Sequence, residues 1–293
     1  AERVLTASQD QLLLAAVTAA GVPYESVQVL TRRPGRLVAR STPPSGTPVV
    51  LKASAHALDF ADEAAAIEML KRAGLPVARV RILQDGPPAV IVLDWIPGRA
   101  VRTEDDQTVR AQVVELLRRI HALPARAPYA TTNADLVSWI DGWTRHALTW
   151  WEGQGATGTH DVGRAWKWYG QVHPLVTGRR GSLVLLDGAP EHFIVAPSGE
   201  VRLIDVAEVQ PGDPVMDLAV LRLHAPTLLD SVLDGYRQAE LSSVHLSELL
   251  PYYVFLRALA AAEWHASTLH DRDASAGWLD RAAAELRSAA VNS

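Results

Sequence analysis

Apolar residues recur at helical spacing over residues 7–20, where Leu12, Leu13, Ala16, Val17 and Ala20 share a face, and Gly21 and Pro23 close the segment. Three short β-like runs follow: VQVL at 27–30, RLVARS at 36–41 and PVVLKAS at 48–54. RRPGR and PPSGT separate them and read as turns. A helix over about 58–73 stops at Gly74 and Pro76, VRIL and AVIVLDW add two strands, and IPGRA breaks the pattern. The pattern predicts a small antiparallel sheet with one helix packed on it.

Beyond about residue 98 the period becomes helical, with segments at 107–123, 134–152 and 162–173. A short β pair, LVLL with FIVAP/VRLID, interrupts the helices over 183–205. The expected organisation is α+β and bilobal: a lobe over residues 1–97 and a larger, mostly helical lobe over 98–293.

Composition narrows the function classes. The net charge of −5 gives no basic footprint for nucleic acid. The chain has no cysteine, which excludes disulfides and thiolate chemistry. No apolar run reaches the roughly 18 residues of a membrane span, and the opening AERVLTASQD lacks a signal-peptide pattern. A cytoplasmic protein is expected. The histidines show no H-E-x-x-H spacing, and no G-x-S-x-G elbow is present.

Lysine is scarce, with only Lys52, Lys71 and Lys167. Lys52 ends an apolar strand. On the next helix, at about 100° per residue, Glu63 falls inside the stripe formed by Phe60, Ile67 and Leu70. A carboxylate on a packing face needs a counter-charge, because an unpaired buried charge is costly. Lys52 is the natural partner, and a strand lysine held by a helix glutamate is an arrangement that serves nucleotide phosphates. Further on, Asp187 follows LVLL and Asp205 follows VRLI. Two carboxylates and a lysine make a minimal kit for Mg²⁺-nucleotide phosphoryl transfer.

With these residues in place, the chain resembles the aminoglycoside phosphotransferase family, within the choline-kinase-like and protein-kinase-like enzymes. VVLK looks like the nucleotide-binding strand, and DEAAAIEMLKRAGLPVARV is similar to the family's helix segment, with Glu63 as the lysine's partner. VIVLDWIPGRAV looks like the hinge, which implies purine contacts from the backbone of Asp94, Trp95 and Ile96. LLRRIHALP is similar to the family's helix before the acceptor region, and His121 within it reads as a helix-end residue. In IDVAEVQPGDPVMDLA the resemblance makes Asp205 the metal-binding aspartate and Asp217 a structural brace of the catalytic loop. It implies that Asp187 positions and activates the acceptor hydroxyl, with Mg²⁺ as cofactor and ATP or GTP as co-substrate. It implies a monomer or homodimer.

The departures sit in LLDGAPEHFIV. The family pattern is roughly H-G-D-x-x-x-x-N. Here Leu185 and Leu186 replace the His and Gly, and His192 stands where the Asn would give a second metal ligand. Imidazole is a poorer Mg²⁺ ligand than an oxygen. A working kinase and a nucleotide-binding pseudokinase both remain open. No G-x-G-x-x-G loop is present, so the turn at 32–36 or the turn at 43–47 is expected to cover the phosphates.

The acceptor is expected among helices at about 133–178 and 248–285. Six of the nine tryptophans fall in 133–178. Trp139, Trp143 and Trp150 recur at core spacing, leaving Trp151 and one of Trp166 and Trp168 as exposed platforms for a ligand. That stretch holds four acids against three bases, too few for a polycation site, though Glu263 and Asp271 could add to them. An antibiotic acceptor of less cationic, more planar kind fits this composition: a capuramycin-type nucleoside suits, as does a macrolide or a cyclic peptide antibiotic. A metabolic kinase for choline, homoserine or a sugar is the alternative acceptor reading.

Overall fold

The computed structural model describes residues 8–44, 46–56, 60–123, 133–155, 158–179, 181–237 and 245–291. Two compact units emerge. The first comprises residues up to Val101 together with Glu191–Val209, and the second Arg102–Pro190 together with the chain from Gln210 onward.

The first unit is built on a five-stranded antiparallel sheet of β1 (Val27–Arg33), β2 (Arg36–Ser41), β3 (Val49–Ser54), β4 (Val80–Gln84) and β5 (Ala89–Asp94), in the order β1-β2-β3-β5-β4. Helix α1 (Gln9–Ala20) is held at its start by a reciprocal Ser8–Gln11 capping box and ends at Gly21, left-handed at φ +61°. Its apolar face, Leu12, Leu13, Ala16 and Val17, packs on Leu37, Ala39, Leu51, Ala53, Val90 and Val92. Strand side chains alternate, so covering Leu51 and Ala53 turns Lys52 to the opposite face of the sheet. Helix α2 (Ala61–Arg72) buries Glu63, Ala64, Ala66, Ile67 and Leu70. The helices expected from residues 7 and 58 begin, among the described residues, at Gln9 and Ala61; residues 7 and 57–59 lie outside them.

A second, three-stranded sheet of this unit joins β6 (Arg99–Ala100), β8 (Phe193–Val195) and β9 (Val201–Leu203). Gly98 sets the approach of β6 to β8. Its φ is +147°, and a Cβ there would lie 2.3 Å from the Val195 carbonyl oxygen, so no other residue fits. The β pairing differs from the expected pair of LVLL with FIVAP/VRLID. Strand β7 (Ser182–Val184) pairs instead with β10 (Gln210–Gly212) in the second unit, and β8 with β9 makes its own hairpin.

The rest of the second unit is helical: α3 (Gln107–His121), α4 (Asn133–Glu152), α5 (Gly158–Thr177), α6 (Val215–His224), α7 (Pro226–Arg237), α8 (Leu246–Trp264) and α9 (Arg272–Val291). Helix α8 is apolar around most of its circumference, with Tyr252, Tyr253, Val254, Phe255 and Leu256 all buried. Such a helix must lie at the centre, and α4, α5, α6 and α9 all pack on it. The helix expected over 162–173 is longer, running through Pro174 to Thr177.

Candidate active site

In the first unit a cavity of about 320 Å³ opens on the face of the sheet opposite α1. Lys52, Glu63, Asp94, Trp95, Ile96 and Asp205 all line it. Lys52 Nζ lies 2.6 Å from Glu63 Oε1 and 2.8 Å from Asp205 Oδ1. Glu63 is 2% exposed, so its charge depends on this partner. Burial works to lower the Lys52 pKa, but the two carboxylates outweigh it and hold the ammonium above the usual lysine range. Burial likewise pushes the Asp205 carboxyl up, and Lys52, His192 and Arg36 more than reverse it, leaving Asp205 below the usual carboxylate range. Lys52 and Asp205 are therefore both charged near neutrality. Asp205 itself is left-handed at φ +54°, a conformation that aspartate tolerates better than most residues.

The hinge segment contributes backbone. The Asp94 amide donates to the Arg79 carbonyl and the Trp95 amide to the Pro48 carbonyl. Among the described residues no backbone hydrogen bond is made by the Ile96 amide, and Pro97 has none to give. The Asp94 side chain is occupied by Arg79 and Arg81, and Arg40 lies 4.5 Å over the Trp95 ring. Of the two turns, 32–36 supplies Arg33 and Arg36 to the cavity lining, and the described residues of 43–47 do not line it.

His192 Nε2 lies 3.8 Å from Asp205 Oδ2, beyond hydrogen-bond length but near enough to share one ion or water. The donor set suits a nucleotide-bound Mg²⁺ only through Asp205. One carboxylate plus phosphate oxygens and waters is an ordinary Mg²⁺ site, and the imidazole adds no oxygen. Among the described residues no group of three or more His, Asp or Glu could hold a metal by itself.

In the second unit the segment after β7 is pinned by one buried carboxylate. Asp217, fully buried on α6, accepts from the Leu185 amide at 2.9 Å and the Leu186 amide at 2.8 Å. His121 Nε2 lies 2.9 Å from Asp217 Oδ2 and, facing a carboxylate, donates to it. His121 sits at the end of α3 and makes this tertiary bond from there. Leu186 is left-handed at φ +59°, directly before the half-buried Asp187. A second anchor was not legible in sequence: Arg179 holds Asp213 through two bonds of 2.8 and 2.7 Å, and the Tyr253 hydroxyl donates to the same carboxylate. The only sequence signal for it was an aspartate ahead of the apolar start of α6.

The tryptophans are arranged partly against expectation. Trp151 is buried, edge-on to Phe255 at 5.8 Å, and Trp168 is buried against Tyr252 at 5.2 Å. Neither is an exposed platform. Trp166 is 39% exposed. Trp139 and Trp143, expected in the core, are only half-buried, and their rings pair at 5.5 Å. Spacing sets which residues share a face, but the packing of α5 and α8 decides which face is covered.

The family model described as the phosphotransferase enzyme family matches residues 19–258, and the chain belongs to that family. No curated protein sequence matches it. Among solved structures it is similar to a thermostable mutant of aminoglycoside phosphotransferase APH(4)-Ia, with 18% identity, a TM-score of 0.76, and coverage of 95% of this chain and 98% of that one. It is similar to a ternary complex of that enzyme with ADP and hygromycin B, at 18% identity, TM-score 0.69, and coverage of 89% and 93%. Macrolide 2'-phosphotransferase MphH from Brachybacterium faecium matches at 17% identity, TM-score 0.65, and coverage of 90% and 96%. The fold is thus the α+β, protein-kinase-like fold of the antibiotic phosphotransferases.

Proposed function

We propose that this chain transfers the γ-phosphoryl group of ATP or GTP to a hydroxyl of a small-molecule antibiotic, in the cytoplasm, conferring resistance. The observation that carries this reading is the Lys52–Glu63–Asp205 cluster lining one cavity with the hinge residues Asp94, Trp95 and Ile96. The Ile96 amide offers the donor for the purine edge, since its two predecessors are already bonded. Lys52, locked by Glu63, holds phosphate oxygens, and Arg33 and Arg36 add positive charge from the β1–β2 turn. Asp205 carries the Mg²⁺ that accompanies the nucleotide. When bound, that ion offsets charge on the phosphate oxygens.

Asp187 orients the acceptor hydroxyl and takes its proton. The acceptor oxygen bonds to the γ-phosphorus as the bond to the bridging β-oxygen breaks, and the nucleoside diphosphate leaves with that electron pair. Positioning and charge stabilisation supply most of the catalysis in such transfers. Asp217 supports the step at one remove by fixing the two amides before Asp187. The acceptor class proposed from composition is a nucleoside antibiotic of the capuramycin kind.

The test is a mass-spectrometric screen with Mg²⁺, ATP or GTP, and aminoglycoside, nucleoside, macrolide and peptide antibiotics, with choline and homoserine alongside. A phosphorylated antibiotic is expected from the wild type and none from Asp187→Ala, which keeps its nucleotide affinity. Normal turnover by Asp187→Ala refutes the assignment, and phosphorylation of choline or homoserine alone moves the protein to metabolism.

His192 favours a second reading, nucleotide binding without transfer, because an imidazole stands beside Asp205 where an oxygen ligand would serve better. That protein would gain thermal stability from nucleotide while yielding no product with any acceptor. If transfer occurs, His192→Asn keeps or raises the rate.

A further inference from the structure

The tip of the β1–β2 hairpin carries two arginines in register. Arg33 pairs with Arg36 across the Pro34–Gly35 turn, and Val38 pairs with Lys52 across β2 and β3. Residues directly opposite in a sheet share a face, and so do residues two apart on a strand. Arg33, Arg36 and Lys52 therefore belong to one face, and all three line the cavity. Like charges placed opposite each other repel, so this arrangement has to be held.

The holding group comes from α1, on the other side of the sheet. Gln9, in the first turn of α1, donates from Nε2 to the Arg33 carbonyl and, at 3.4 Å, to the Arg36 carbonyl. The Ala55 amide donates to the Gly35 carbonyl at 2.8 Å. The turn is thus bound both from α1 and from the end of β3, and α1 is itself fixed by its capping box and its packing on the sheet. Gln9 Oε1 is buried and has no hydrogen-bond partner among the described residues. A buried acceptor without a partner is unfavourable, so the pose of this side chain is set by the two bonds its Nε2 donates.

We infer that Gln9 is a positioning residue for the phosphate-binding turn, and that its side-chain amide keeps Arg33 and Arg36 side by side where they meet a polyphosphate. The inference rests on the proposed nucleotide reading and deepens it. The chain has no G-x-G-x-x-G loop, and guanidinium groups on a clamped hairpin take the place of glycine amides. Such a device acts on the phosphates and leaves the purine alone, because the hinge is held by its own bonds to Arg79 and Pro48.

The test is calorimetry without acceptor, comparing the dissociation constants of Mg·ATP and adenosine, or of Mg·GTP and guanosine if the protein prefers guanine. The proteins are the wild type, Gln9→Met, Arg33→Ala/Arg36→Ala and the triple variant. Methionine is close to glutamine in length and helix propensity, and the position is only half-buried. The melting temperature of Gln9→Met should therefore stay within about 2 °C of the wild type, and Gln9→Ala serves as the second variant should methionine pack badly. Gln9→Met should weaken triphosphate binding about five-fold and leave nucleoside affinity unchanged. Arg33→Ala/Arg36→Ala should weaken the triphosphate by about ten-fold or more, through loss of charge-assisted bonds, and adding Gln9→Met to it should change nothing further. Unchanged triphosphate affinity in Gln9→Met and Gln9→Ala overturns the inference. So does an equal loss for nucleoside and triphosphate, which marks a merely structural role, and so does a full Gln9→Met effect in the background lacking both arginines. A wild type that binds triphosphate with the expected pattern but yields no product loses the transfer reading and keeps the clamp. Phosphorylation of an acceptor with a nucleotide KM untouched by Gln9→Met does the reverse.

Discussion

Leu186 donates its amide to Asp217 Oδ1 at 2.8 Å while holding a left-handed backbone, φ +59°. A leucine in that region costs roughly 1–2 kcal/mol, so the bond and its neighbours keep a conformation the residue would not choose. The position is the one where the resemblance leads one to expect glycine. The turn before Asp187 has therefore been kept although the residue that suits it has not.

The brace should be worth more than any single contact in the loop. Asp217→Ala leaves two buried amides and the His121 ring without their acceptor. At about 1–3 kcal/mol per orphaned group, a loss of at least 3 kcal/mol is expected. Thermal melting should show a fall of about 10 °C, and turnover should drop with it. An unchanged melting temperature would remove Asp217 from the role of brace.

Strain and burial oppose each other at Leu186. Leu186→Gly gives up a buried side chain but relieves the left-handed backbone. Leu185→Ala, at 3% exposure and with φ outside the left-handed region, gives up burial with no relief. Leu185→Ala should cost about 2–5 kcal/mol, and Leu186→Gly clearly less. Urea midpoints of the two variants check the order.

The Lys52–Glu63 pair should behave as a coupled unit. Lys52→Met leaves Glu63 buried without its closest counter-charge, a loss of about 3–5 kcal/mol. Adding Glu63→Gln should return part of that stability, so the double variant melts above Lys52→Met. Nucleotide affinity should fall in both, because the phosphate-binding charge is gone. Strict additivity in a double-mutant cycle would contradict the pairing.

Alkaline pH should expose two tyrosines of α8. Burial pushes the Tyr252 phenol far above its ordinary value, despite a 2.8 Å bond to Thr144, and pushes Tyr253 up beside Asp213. In the folded protein both keep their protons where the unfolded chain would lose them. Above the ordinary phenol value of 10.0 the folded state thus binds more protons, and stability falls as pH rises. Below that value their contribution is constant. Spectrophotometric titration should show these two ionising only as the fold is lost, with stability declining by up to about 1.4 kcal/mol per pH unit for each.

Much of the first unit could be read from the chain because its rules are local. Period-two alternation and the turn residues mark the strands, and alternation with Leu51 and Ala53 already turns Lys52 away from α1. The Lys52–Glu63 contact was legible for a related reason: a carboxylate inside an apolar helical stripe has few ways to be buried, and lysines are scarce. Family membership was likewise visible in the order of the segments from VVLK to VMDLA.

Tertiary structure decided what depends on partners remote in sequence. Nothing local tells that Trp151 is covered and Trp143 left half open, since both lie on one helix and the choice belongs to α5 and α8. Nothing local tells that His121 serves Asp217, ninety-six residues away, or that β7 pairs with β10 rather than β9. A left-handed Leu186 is illegible for the same reason, because leucine by itself argues against it. A sequence specifies periodicity and the cost of burying each group. Which face is covered, and which costly conformation is held, follows from the contacts that the whole chain makes at once.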